Sequence, residues 1–109
     1  MKRRKCLQLA SLGALTASYP LFIERQWLQV NHYTIPTPGL PPAFHGFTIA
    51  QVTDIHLGLL VSEAFVEGVV QTTNALAPDL IACTGDYVHK RNTIEEIDRV
   101  WPILSRLKA

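Results

Sequence analysis

Two short apolar runs, Phe47 to Thr53 and Leu80 to Thr84, flank one helix-length amphipathic segment, and this alternation constrains the fold more than any other feature of the chain. The first run is mostly apolar and β-branched, the build of a buried strand. The second reads the same way and is ended by Gly85-Asp86. Between them Leu57-Gly58-Leu59-Leu60 reads as a loop, Ser62 can cap a helix running to about Ala77, and Pro78 ends it. Val61, Phe65, Val69, Thr72 and Leu76 fall at helical spacing and are the expected inner stripe; Gly68 weakens the helix slightly. Thr93 and Glu96 stand as a capping box requires and begin a second helix. Ile94, Ile97, Val100, Trp101, Leu104 and Leu107 give its apolar face, and Pro102 is expected to kink or split it. Strand, helix, strand, helix predicts an α/β fold with parallel strands, a right-handed crossover and helices on both faces of the sheet. Cys83, inside the second run, is expected to be a small buried hydrophobe.

The amino-terminal side has a different build. Lys2-Arg3-Arg4-Lys5 is followed by a stretch without charge to Ile23, the order of a signal peptide or signal anchor. Arg3-Arg4-Lys5-Cys6-Leu7-Gln8-Leu9 resembles a bacterial twin-arginine export signal, which implies the export machinery as a partner and the periplasm or cell envelope as the location. Trp27 to Ile35 is aromatic and β-branched and reads as a strand. Pro36-Thr37-Pro38-Gly39-Leu40-Pro41-Pro42 is a stiff connection, closed by His45-Gly46. Three parts are therefore expected: residues 1–23 as signal or membrane anchor, 24–46 as strand and proline-rich connection, and 47–109 as part of an α/β domain.

Charge excludes one class of function. The chain carries a formal +1 overall, but residues 1–23 hold four basic groups and no acid. Residues 24–109 hold six basic groups against nine acids, a net of −3. That body lacks the basic surplus of a nucleic-acid binder, so no nucleic-acid partner is expected. Two cysteines, one of them in the targeting segment, make neither a disulfide framework nor a zinc site.

Asp54 and His56 stand two apart where the first strand ends, and in extended chain they would point to one face. Asp86 lies at the equivalent end of the next strand, 32 residues on, an interval that fits one strand–helix–strand unit. Ligands of open α/β sheets bind beyond the carboxyl ends of the strands, so all three groups reach one rim. Gly85 lets the backbone turn tightly there. Alone, Asp-x-His or Gly-Asp is an ordinary turn pattern. Together they cluster two acids and an imidazole at two adjacent strand ends, and a cation resolves the repulsion. Such a donor set suits zinc, manganese or iron. His32, His45, His89 and Asn92 read as surface, linker or loop groups.

The blocks Phe47-Thr48-Ile49-Ala50-Gln51-Val52-Thr53-Asp54-Ile55-His56-Leu57-Gly58 and Pro78-Asp79-Leu80-Ile81-Ala82-Cys83-Thr84-Gly85-Asp86-Tyr87 resemble the first two blocks of calcineurin-like metallophosphoesterases. The segment Pro38 to Gly46 resembles their membrane-associated bacterial branch, which includes enzymes acting on UDP-diacylglucosamine and related phosphodiesters. The resemblance covers about residues 27 to 109. It implies a four-layer α/β/β/α fold, of which this chain holds the first strand–helix–strand portion. It further implies that Asp54 and His56 bind a first metal and Asp86 bridges two, both drawn from manganese, iron or zinc. Ions about 3.5–4 Å apart would clamp the phosphate and activate a water for in-line attack on phosphorus. The implied partners are a phosphoester substrate, lipid-linked in that branch, and the membrane surface.

The family's later Gly-Asn-His-Asp/Glu and Gly-His-x-His blocks do not occur in this sequence. The catalytic acid and the second metal's remaining ligands are therefore expected beyond Ala109, and the chain alone is expected to be weakly active or inactive. The competing expectation is an exported, non-enzymatic module that binds at most one metal. A nucleotide-binding α/β domain is disfavoured, because Asp54-Ile55-His56-Leu57-Gly58 lacks the clustered glycines that cradle phosphate.

Overall fold

A computed structural model describes residues 27–89 and 94–109, together with Gly13. The expected targeting segment with Cys6, the loop residue Asn92, and Thr93 of the expected capping box lie outside the described residues. The elements are β1 (Ile49–Val52), α1 (Glu63–Ala75), β2 (Leu80–Cys83) and α2 (Ile94–Leu104), preceded by one 3-10 turn at Pro42–Phe44. β1 and β2 run parallel, with Ile49 opposite Leu80 and Val52 opposite Cys83. The α/β order read from the hydrophobic pattern is the order observed.

Helix α1 starts where its cap dictates. Ser62 is extended, and its Oγ accepts a hydrogen bond from the Phe65 amide at 3.3 Å, satisfying one of the orphan donors of the first turn. The buried stripe is Val66, Val69, Val70 and Thr73, turned by about one residue from the expected Val61–Phe65–Val69–Thr72–Leu76 line. The rotation has a partner: α2 lies against α1 and meets it with Val100, Ile103 and Leu104, so the stripe faces both the sheet and the second helix. On α2 the same competition leaves Ile94 and Trp101 exposed and buries Ile103 instead. Pro102 does not split α2, which runs on to Leu104; Pro102 lies in the last turn, so its missing amide costs the bond to the carbonyl four residues back but leaves almost no helix beyond it to be displaced. Arg99 pairs with Glu63, and Arg106 Nη2 with Glu67 Oε1 at 2.9 Å, across the helix–helix seam. At such exposure each pair contributes little.

Three expectations are corrected. Trp27 to Ile35 forms no strand, and Tyr33 and Ile35 are more than four-fifths exposed. β-propensity describes how a side chain suits a pleated surface, and this run has no ladder partner among the described residues. Among the described residues, the sheet is covered on one face only. Val52 and Ile81 join the helical core, while Ile49 and Leu80 on the opposite face stay 60% and 47% exposed. Cys83 ends the edge strand β2 and is exposed, with a free thiol, not buried.

The strands are tied at their start by Asp79. Its Oδ2 accepts from the Thr48 amide at 2.7 Å and from the Thr48 hydroxyl at 2.9 Å, while the Asp79 amide donates to the Thr48 carbonyl at 3.0 Å. The Thr48 amide, then its hydroxyl, favours the charged carboxylate and lowers the Asp79 pKa. A pKa depressed on folding gives stability that is complete above the unfolded value of about 3.9 and lost as pH falls through the folded value. Asp79→Asn therefore lowers the melting temperature at neutral pH, and the gap from the parent closes below about pH 4. Melting curves across that range check this; a gap independent of pH would refute it.

Candidate metal centre

The ladder does not stop where the strands do. Thr84 N donates to the Val52 carbonyl, Asp54 N to Gly85 O at 3.1 Å, His56 N to Asp86 O at 3.0 Å and Leu57 N to Tyr87 O at 2.9 Å. His89 N then returns to Leu57 O at 2.9 Å, and Leu57 bridges Val88 in parallel fashion. The loops after β1 and β2 are thus zipped together and held at the same level. Ile55 and Leu57, both buried, anchor the first loop in the core and leave the alternate residues Asp54 and His56 outward.

Sequence reasoning places Asp54 and His56 on one face of extended chain. The observed backbone differs. Asp54 has φ +54°, His56 φ +51° and Asp86 φ +55°, all left-handed, and Gly85 beside Asp86 has φ +117°. Aspartate and histidine are among the residues that tolerate this region. Left-handed non-glycine backbone costs of order 1–3 kcal/mol per residue and gathers at functional sites. Here it falls on all three candidate ligands; among the described residues only Ala77 also has a positive φ without being glycine.

The side chains converge. His56 Nε2 lies 3.7 Å from Asp54 Oδ1 and 4.0 Å from Asp86 Oδ2, and one donor atom from each residue falls within 4.8 Å of the others. Thr53 Oγ1 donates to Asp54 Oδ2 at 2.8 Å, which occupies that oxygen and leaves Oδ1 facing the histidine. The carboxylates are about three-fifths exposed, open to an incoming ligand. No lysine or arginine occurs from Phe47 to His89, and the guanidinium groups of Arg99 and Arg106 are engaged on α1. Two carboxylates and an imidazole with free lone pairs fit a divalent ion of the manganese, iron or zinc kind. Among the described residues this is the one such cluster.

In sequence the chain matches an uncharacterized metallophosphoesterase of Bacillus subtilis at 32% identity over 117 aligned positions, covering 100% of this chain and 41% of the relative. It matches a UDP-2,3-diacylglucosamine pyrophosphatase of Chlamydia trachomatis at 30% over 95 positions, 87% of this chain and 29% of the relative. The chain belongs to the metallophosphoesterase family. An uncharacterized metallophosphoesterase of Aquifex aeolicus, 32% identical over 85 positions, covers 78% of this chain and 31% of its own length. This metallophosphoesterase chain therefore spans less than half the length of these relatives. No protein-family model and no solved structure matches it.

The remaining histidines stand apart from the cluster. His45 Nε2 donates to the Leu40 carbonyl at 3.2 Å, and His32 is exposed. His89 is exposed with its Cβ against Gly58, where an added methyl would lie 2.7 Å from it and 3.1 Å from Glu96 Oε1. Gly58 thus permits the first loop to lie under the second. Thr53 and Tyr87 escaped the sequence reading, because neither is a ligand type in that context. Their signal was only adjacency to Asp54 and Asp86. Among the described residues no helix is long and apolar enough to cross a membrane.

Proposed function

We propose that this metallophosphoesterase chain holds divalent metal through Asp54, His56 and Asp86 and serves hydrolysis of a phosphoester. The observation that carries it is the convergence of three donor atoms within 4.8 Å on two hydrogen-bonded loops in left-handed backbone. Ions bound there would polarise phosphoryl oxygens and bring the pKa of a coordinated water toward neutrality. Asp54 and His56 would serve one ion, and Asp86, on the neighbouring loop, would face both. The open flank of the carboxylates leaves room for a substrate phosphate. The substrate class we favour is a nucleotide-linked or lipid-linked phosphodiester, on the strength of the chlamydial relative's name. Export through an arginine-rich leader and residence at the cell envelope belong to the same proposal and rest on Lys2-Arg3-Arg4-Lys5 and the uncharged stretch behind it.

Three side chains cannot fill the coordination shells of two ions, since each takes about four ligands or more. The 109-residue chain is therefore expected to take up metal with little turnover of a chromogenic phosphodiester. Manganese titration of the chain, beside a variant with Asp54→Asn, His56→Ala and Asp86→Asn together, tests the assignment. Saturable uptake in the parent should vanish in the triple variant. Equal uptake by both would end the proposal.

A further inference from the structure

The Gly85–Asp86 turn is fixed on three sides. The Gly85 carbonyl accepts from Asp54 N, and the Asp86 carbonyl accepts from His56 N. The third restraint is a side chain: the Gly85 amide donates to the Tyr87 hydroxyl oxygen at 3.1 Å. Tyr87 reaches back over the turn that immediately precedes it. Its own carbonyl is held by Leu57 N at 2.9 Å, and its ring lies partly buried against the core. The ring also meets Trp101 of α2 with centroids 5.5 Å apart and planes at 56°. The hydroxyl is therefore presented from a braced ring.

Consecutive left-handed residues are not a resting state for a chain. Gly85 adopts φ +117° freely, but Asp86 at φ +55° would relax if the preceding peptide plane could rotate. Rotation would swing the carboxylate away from His56 Nε2, now 4.0 Å distant. The Asp54 N–Gly85 O bond holds that plane directly, and the amide–hydroxyl bond holds the plane before it, between Thr84 and Gly85, so that the flexible Gly85 is pinned on both sides and cannot take up the movement. We infer that Tyr87 is a positioning residue: its hydroxyl locks the Gly85 amide so that Asp86 presents its carboxylate to the metal beside Asp54 and His56. This rests on the metal assignment above. Groups that orient metal ligands are worth about 10- to 100-fold in metal affinity.

Tyr87→Phe keeps the ring against Trp101 and removes only the acceptor. In the full chain it should weaken manganese binding by about 10- to 100-fold, while the metal-free melting temperature and Trp101 emission stay at parent values. The Gly85 amide resonance should shift in the metal-free nitrogen–proton spectrum. Trp101→Leu is the opposite probe: it removes one ring contact but keeps the hydroxyl, the Leu57 N–Tyr87 O bond and the core packing that still seat the ring, so it should lower the melting temperature and leave manganese affinity near the parent's. Parent-like affinity in Tyr87→Phe, with affinity lost in Asp86→Asn, would overturn the role of Tyr87 and leave the metal site standing. Equal affinity losses in Tyr87→Phe and Trp101→Leu, tracking their melting temperatures, would overturn it as well. Parent-like affinity in Asp86→Asn would remove the metal assignment and Tyr87's role with it.

Discussion

Asp86→Asn should cost more than about 100-fold in manganese affinity, beyond the range typical of groups that merely orient ligands. Asparagine is close in shape to aspartate and is at ease in left-handed backbone, so the φ of +55° is kept. The Asp86 carbonyl still accepts from His56 N, and the loop ladder is untouched. On the proposed assignment, what disappears is a charged oxygen ligand beside Asp54 and His56. The cation then keeps one carboxylate and one imidazole, and the electrostatic reason for its presence is halved. Calorimetric titration with manganese, read beside a melting curve of the metal-free variant, separates loss of a ligand from loss of fold. Binding within a few-fold of the parent would exclude Asp86 as a ligand.

Leu57→Ala should be the most destabilising single change near the site, at about 2–5 kcal/mol. Leu57 is 1% exposed and is among the most completely buried side chains of the chain. Its backbone also carries the zipper, donating to Tyr87 O and accepting from His89 N. Truncation leaves a void between the loop and the helices at the point where His56 is attached. Small domains are stable by only about 5–15 kcal/mol, so this is a large share. Urea unfolding of the metal-free variant measures it. A change within about 0.5 kcal/mol, as at ordinary surface positions, would show that the loop is not anchored by its leucine.

Much of the fold was legible because its signals are local. The β-branched runs, the Ser62 cap and the stop at Pro78 each act within a few residues, and β1, α1 and β2 lie where those signals put them. What failed depended on distant partners. Among the described residues, Trp27 to Ile35 has strand composition but nothing to pair with, and Cys83 sits in an apolar run that ends at a bare edge. The stripe of α1 turned because α2 competes for it, which no window on α1 reveals. At the site, Asp54, His56 and Asp86 were legible as a group from residue type and spacing. Their backbone was not, since i and i+2 converge as readily from left-handed as from extended chain. The Tyr87 hydroxyl bond depends on that backbone and could not be read without it.

The zipped loops also set how the site breathes. The amides of Asp54, His56, Leu57 and His89 are all donors in one continuous run of bonds beyond the strand ends. Breaking one relieves its neighbours of alignment, so these four should exchange with solvent deuterium as a single cooperative unit and more slowly than the amides of the exposed segment before β1. Metal association and release would then be governed by side-chain motion over a nearly fixed backbone floor.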